Sequence, residues 1–398
     1  MNGRTHDALV LDLDTRAGLS ITRALARQGL RVDVAAQDAH ASGFRTRYAA
    51  ERHVLPRAAA SFDGYVEALL AALRASPADA TIPSIDASVE ALHRNRSALA
   101  GLTAPALGSH EAVDVALDKD RTLAVARSLG IPVPRSVLVS TPAELDDALG
   151  EVGLPCVLKP TTSWRPLGDG GERLGPTYAE DAAQARSLAG EVVRPGAPVL
   201  LQEFAGGSRE TIKLFRDGGR SLARLAISVE RSWPALGGSS TMRATVSLPD
   251  DVLDHAERLV AEIGLDGYSE VEFRRTHDGR PLLMEVNPRL SQSVEVALRA
   301  GVDFARMQLE WARGGSIPRP AAGRVGVRVG WLAGDLRLLV AARRGVPTTA
   351  PFGRSLAAMA GDYTARRARI EGLDVRDLRP TLGAVAFAAR ALRARGLM

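Results

Sequence analysis

Lysine is nearly missing from this chain. Of 51 basic residues only Lys119, Lys159 and Lys213 are lysines, and the other 48 are arginines. A surface charged by arginine keeps lysine where a compact, single-point ammonium is wanted, because the two side chains are not interchangeable, so three positions stand out. Cysteine occurs once, at Cys156, and no internal disulfide can form. Aromatic residues make up 4% of the chain, too few for the base-stacking platforms of a nucleic-acid binder. The opening MNGRTHDALVLDLD carries acids inside its first apolar run and lacks the uninterrupted core of a signal peptide. No stretch reaches the roughly 18 apolar residues of a spanning helix, since Asp335 and Arg337 interrupt the best candidate. These absences point to a cytoplasmic protein with no membrane span and no nucleic-acid partner. The motifs G-x-x-x-x-G-K-S/T, G-x-S-x-G, H-E-x-x-H and C-x-x-C are also missing, which removes the commonest phosphate-loop, hydrolase and zinc readings.

What is present is a globular composition, 45% hydrophobic and 24% charged, over 398 residues. That length suggests two to four units of roughly 100–200 residues. Charge is uneven. From Arg319 onward fifteen arginines face five acids, so this end is basic while the first 318 residues are net acidic. The tail arginines are scattered through apolar stretches and read as solvated faces of amphipathic helices.

The first hundred residues alternate strand and helix: ALVLDL from Ala8, a helix in SITRALARQG, RVDVAAQD from Arg31, then helix Tyr65 to Arg74, strand Ala80 to Pro83 and helix Ser88 to Leu99. This is a βαβ rhythm without the G-x-G-x-x-G fingerprint, and it predicts a Rossmann-like unit. A helix is expected over Glu111 to Gly130. Residues 160–177 lack any period, are rich in Gly and Pro, and read as a functional loop. Strands are expected at Cys156 to Lys159, Val199 to Phe204, Glu210 to Phe215 and Leu222 to Val229, then a hairpin of Ser269 to Arg274 with Pro281 to Val286. The stretch Gly237 to Arg243 reads as a flexible polar turn.

An ordered set of residues suits polyphosphate chemistry. Lys119 on a helix and Lys159 at a strand end offer point charges, and Gly168, Gly170 and Gly171 would let backbone N–H groups approach a phosphate. Gln202-Glu203-Phe204 ends an apolar strand, and Glu210 follows seven residues after Glu203. On the hairpin, Glu285 and Asn287 share one face, and Glu272 lies on the preceding strand; such oxygens are hard ligands for Mg²⁺. Arg289 can reach a phosphoryl group, and Arg243 can clamp a carboxylate. Ser291 and Ser293 either line that site or cap a helix starting near Val294. Lys213 is opposite in strand parity to Glu210, so the two cannot face one ligand unless the strand bulges.

The set, with the run MEVNPRLS and its continuation VEVALRAGVD, resembles the ATP-grasp superfamily, and most closely its carbamoyl-phosphate-synthase-like and carboxylate–amine ligase members. The resemblance covers roughly 111–312. It implies an α/β fold: a Rossmann-like N-terminal domain (1–110), an ATP-grasp small subdomain (111–195), a large subdomain with the metal site (196–318), and a basic, mainly helical C-terminal region (319–398). By similarity Lys119 and Lys159 hold ATP phosphates, and the Glu203–Phe204 backbone reads adenine. Glu210 binds the ribose, and Glu272, Glu285 and Asn287 hold two Mg²⁺, with Mn²⁺ as a substitute. Arg289 stabilises the transferred phosphate. The implied reaction joins a small acid to an amine through an acyl phosphate. Phosphorylation without amide formation and non-catalytic nucleotide binding stay open, as does a homodimer. Lys213 has no role by the resemblance.

Overall fold

Ala8, Leu9, Val10 and the whole of VDVAA are buried, as expected for parallel strands covered on both faces. The computed structural model describes residues 6–194, 197–234, 238–345, 352–365 and 367–385. Strands β1 (His6–Val10), β2 (Val32–Ala36), β3 (Arg52–Val54), β4 (Ala78–Ile82) and β5 (Ala104–Pro105) form a parallel sheet in the order β3-β2-β1-β4-β5. Helix α1 (Arg16–Ala26) starts where the Thr15 hydroxyl accepts the Gly18 N–H, and α2 (Phe62–Ala75) where Ser61 accepts that of Gly64. The helix expected at 88–99 is divided at Asn95 into α3 (Asp86–Arg94) and α4 (Arg96–Leu99).

The helix expected over 111–130 is likewise two helices, α5 (His110–Leu117) and α6 (Lys119–Ser128). Asp118 separates them: its carboxylate accepts the N–H groups of Asp120 and Arg121, which ends one helix and starts the next. Lys119 is therefore the first residue of α6 rather than an interior one.

A smaller lobe follows. It contains β6 (Ser136–Val139), α7 (Leu145–Val152), β7 (Cys156–Pro160), β8 (Trp164–Leu167), β9 (Gly170–Arg173), β10 (Thr177–Ala179), α8 (Ala182–Val192) and β11 (Val199–Glu203). Its antiparallel sheet runs β10-β7-β11-β6 and buries its own core, including Val139, Leu145, Leu158 and Leu201. The loop expected at 160–177 holds the separate hairpin β8–β9.

The larger sheet is built from β12 (Ser208–Asp217), β13 (Arg220–Trp233), β14 (Ser239–Val246), β15 (Gly267–Arg275) and β16 (Pro281–Asn287), extended by β17 (Arg328–Gly330) and β18 (Arg369–Ile370). Its order is β16-β15-β12-β13-β14-β17-β18. Helices α9 (Asp250–Ile263), α10 (Val294–Ala300), α11 (Phe304–Ala312), α12 (Leu332–Arg343) and α13 (Phe352–Thr364) complete the described chain. One sequence expectation is corrected here. Residues 239–243 belong to β14, because Met242 and Arg243 pair with both neighbouring strands; Gly237 lies outside the described residues. The region after Arg319 contributes α12 and α13 with the short strands β17 and β18, and residues 386–398 lie outside the description. Leu69 and Leu107 share one buried cluster with Leu259, Val271 and Phe273, so the parallel sheet and the larger lobe have a continuous core.

Candidate functional site

A cavity of about 280 Å³ opens between the small antiparallel sheet and the large one. Its walls bring together Lys119, Lys159, Gln202, Glu203, Phe204, Arg243, Glu272, Glu285, Asn287 and Arg289, residues spread over 170 positions of sequence.

The hairpin β15–β16 sets the acidic wall. Its register places Glu272 directly opposite Glu285 and Glu270 opposite Asn287, and Asn287 Nδ2 lies 3.3 Å from Glu285 Oε1. Like charges directly opposed across a strand pair repel. Burial pushes the Glu272 carboxyl up to about 7; the nearby Arg209 opposes this, and Glu285 and Glu270 add to it. A buried carboxyl beside a second carboxylate and an amide oxygen offers oxygen donors that suit a hard divalent cation.

The cationic wall faces it. Lys119 Nζ bonds Ser163 Oγ at 3.0 Å and stands 3.9 Å from Glu285 Oε2. Lys159 Nζ bonds Gln202 Oε1 at 2.5 Å across the β7–β11 pair. Burial, only partly offset by Glu285, brings the Lys159 ammonium down to about 8. Arg289 Nε bonds Asp86 Oδ1 at 2.7 Å, and its Nη2 lies 3.3 Å from Asn287 Oδ1. The pairing of Glu285 with Arg289 that would make both merely structural is not formed; Asp86 takes that place. Glu203 is held by Arg135 at 2.7 Å, and Phe204 meets Tyr178 edge-on. The N–H groups of Glu203 and Phe204 already donate to Arg135 O and Pro155 O, so in this arrangement neither is free to read a base.

Several expected residues stand elsewhere. Gly168 turns the β8–β9 hairpin at φ 57°. A Cβ on Gly170 would lie 2.3 Å from Ala59 O, and one on Gly171 would lie 2.3 Å from the Trp164 ring. Gly170 thus lets the hairpin pack on residues 59–62 and Gly171 makes room for the Trp164 ring; Arg173, at the end of β9, and Leu174 to Pro176 line the cavity instead. Glu210 turns away from the cavity to Arg275, which it meets at 2.8 and 2.9 Å. The parity holds: on the face opposite Glu210, Thr211 lines the cavity, while Lys213 is fully buried and bonds Glu270, Tyr268 Oη and Ser293 Oγ. Burial works to raise the Glu270 carboxyl, but Lys213 and the two serines outweigh it and hold the group at about 2. Ser291 and Ser293 serve this cluster, and neither side chain caps α10. Arg243 does line the cavity, but from the middle of β14: Nη1 bonds Gln292 O at 2.9 Å and Nη2 bonds Glu371 Oε2 at 2.6 Å. It is a fixed wall, not a clamp on a mobile turn.

Sequence reasoning passed over Thr211, Arg209, Arg274, Ser163 and Asp86. Thr211, Arg209 and Arg274 were within reach: they share strand parity with Lys213 or Glu272, and Arg209 stands directly opposite Arg274. Asp86 carried no signal, since its partner is 203 residues away.

Residues 197–334 match a family described as ATP-grasp in the biosynthetic pathway with Ter operon. The chain is 29% identical over 215 residues to the carbamoyl phosphate synthase large chain of Mycobacterium tuberculosis (strain CDC 1551 / Oshkosh), covering 51% of this chain and 19% of the relative. It is 30% identical over 217 residues to that of Beutenbergia cavernae, with the same coverage. The chain thus spans about a fifth of the length of these curated relatives. Among solved structures it is similar to an ADP complex of N5-carboxyaminoimidazole ribonucleotide synthetase (TM-score 0.60, 16% identity, 81% of this chain and 80% of that one). It also resembles an L-amino acid ligase from Bacillus licheniformis (TM-score 0.60, 15% identity, 82% and 79%). A Campylobacter jejuni biotin carboxylase gives a TM-score of 0.61 at 17% identity, covering 82% and 75%.

Proposed function

We propose that this chain, an ATP-grasp protein, is an ATP-dependent ligase joining a small carboxylic acid to an amine through an acyl phosphate, with release of ADP and phosphate. The observation that supports this best is the meeting, in one cavity between two lobes, of Lys119, Lys159, Glu272, Glu285, Asn287 and Arg289. Lys119 and Lys159 neutralise phosphate oxygens, and Arg289, aimed by Asp86, faces the phosphoryl group as charge shifts during transfer. Glu272, Glu285 and Asn287 would hold Mg²⁺, one or two ions, whose charge draws off electron density from the phosphoryl oxygens. The segment 161–177 shields the acyl phosphate from water, which would otherwise hydrolyse it. Glu270, Lys213, Ser291 and Ser293 form the polar end where the acid sits, beside Arg243. Thr211, in place of Glu210, faces the ribose.

The division at 110, 195 and 318, a cytoplasmic location and a homodimer belong to the same reading. No described helix is long and apolar enough to cross a membrane. One alternative has specific support: the curated relatives are carbamoyl phosphate synthases, which favours phosphorylation of a small acid or carbamate without amide formation. The test is ADP release against panels of acids and amines, with mass detection of products. A coupled product that needs both partners supports the ligase. ADP release without amine, leaving a phosphorylated acid, supports the alternative; tight ATP binding with no turnover on any pair overturns both.

A further inference from the structure

Outside the cavity, α3 and α5 bring together two imidazoles and a carboxylate. His93, His110 and Asp114 each place a ligand atom within 4.8 Å of the others. His93 Nε2 stands 2.6 Å from Asp114 Oδ1, and His110 Nε2 stands 3.6 Å from Asp114 Oδ2. The two rings stack at 4.3 Å with 18° between their planes. We infer that these three side chains form a binding site for a borderline divalent transition metal of the Zn²⁺ type, separate from the hard-cation donors of the β15–β16 hairpin.

The donor set selects the metal. Imidazole nitrogen favours Zn²⁺, Co²⁺ or Ni²⁺ over Mg²⁺, and three protein ligands leave one position for water. Ligands bound at about 2.0–2.2 Å in a tetrahedron stand roughly 3.3–3.6 Å apart. One pair is already at that spacing, and the closer pair must open by under about an ångström. The side chains free to move are the exposed ones: His110 is 55% and Asp114 42% exposed, against 4% for His93.

The His93 ring can take an ion without a new cost. Its Nδ1 is buried without a hydrogen-bond partner. With the proton on Nε2, as the short bond to Asp114 implies, Nδ1 is an unmet acceptor; with the proton moved to Nδ1, it is an unmet donor. Loading a metal on Nε2 therefore replaces one hydrogen bond and creates no new orphan. The site also has a connection to the cavity. Helix α3 begins at Asp86, which holds Arg289, and α5 runs into Asp118 and Lys119. A metal joining His93 to α5 clasps the two helices that position these cations.

The experiment uses the untagged full chain, stripped with chelator and returned to excess Mg²⁺ so that the hard-cation donors are occupied. Co²⁺ should then give the intense visible bands of a tetrahedral nitrogen- and oxygen-ligated ion, and Zn²⁺ should raise the thermal midpoint. His110→Ala and Asp114→Ala, both exposed positions, should retain the far-UV spectrum and Mg²⁺–ATP binding. Each should weaken Zn²⁺ by at least the roughly 10–100-fold that loss of even an outer partner costs a metal site. Absence of Zn²⁺ binding in the parent, affinity equal to the parent's in both variants, or binding lost only in Glu285→Gln would each overturn the inference. The Co²⁺ spectrum of the parent decides the ligand type even if a variant folds poorly.

Discussion

On β12, Ile212 and Leu214 are fully buried in the core beneath the sheet, and Glu210 shares their parity. Thr211 and Lys213 take the other face, opposite Glu272 and Glu270. A one-residue difference in register thus decides that Thr211, not Glu210, lines the cavity. One lysine and one acid separate these faces experimentally. Lys159→Ala should weaken nucleotide binding by about 1.5–3 kcal/mol, the scale of lost charge-assisted hydrogen bonds. Glu210→Ala should leave ATP affinity unchanged, because its carboxylate is spent on Arg275. Calorimetry on both folded variants checks this, and equal losses would return Glu210 to the nucleotide site.

At the scale of elements, the β15–β16 hairpin buries a carboxyl so that desolvation outweighs the nearby Arg209. The Glu272 carboxyl sits near 7 against an ordinary 4.5. Raised in the fold, this group favours the ligand-free structure fully below its ordinary value, and that contribution is lost as pH rises through about 7. Mg²⁺ must displace the same proton. Its affinity should fall as pH drops below 7, with proton release on binding; calorimetry in two buffers of different ionisation enthalpy measures it, and no buffer dependence at pH 6.5 to 7 would contradict it. The β8–β9 hairpin makes a steric case. Gly171→Ala forces a Cβ to 2.3 Å from the Trp164 ring and 2.9 Å from Arg165 O. The expected cost is about 1–3 kcal/mol, seen in urea unfolding, as the Trp164 ring and β8 are pushed away from β9.

Across the whole molecule, Glu371 ties the two ends of the chain together. Its carboxylate accepts Arg16 Nη1 at 2.5 Å and Arg243 Nη2 at 2.6 Å, and Arg16 also stacks 4.1 Å from the Trp331 ring centroid. The Glu371 side chain is 1% exposed, so its removal leaves two guanidinium groups facing each other in a poorly hydrated place. Glu371→Ala should destabilise by about 3–5 kcal/mol in denaturant unfolding. A loss within about 0.5 kcal/mol, the range of ordinary surface changes, would show that the network carries no stability.

The sequence by itself determined the periodic parts of this protein. The apolar runs ALVLDL and VDVAA, spaced by a helix, marked the parallel strands, the period of two put Glu285 and Asn287 on one face of β16, and the scarcity of lysine singled out Lys119 and Lys159, which both line the cavity. Local chemistry misled where two signals competed. Asp118 looked like part of a continuous helix but caps a new one, and GGSSTMR looked like a turn because its serines and glycine outweigh the few residues that pair in β14. Tertiary structure alone decided the rest: Asp86 on Arg289, Glu371 on Arg243, and residues 59–62 under the glycines of the hairpin. Each of these joins groups far apart in sequence. No periodicity encodes such pairings, because a buried charge or a close backbone approach is specified by what the fold brings opposite it, and strand order and register set that only once the sheets have formed.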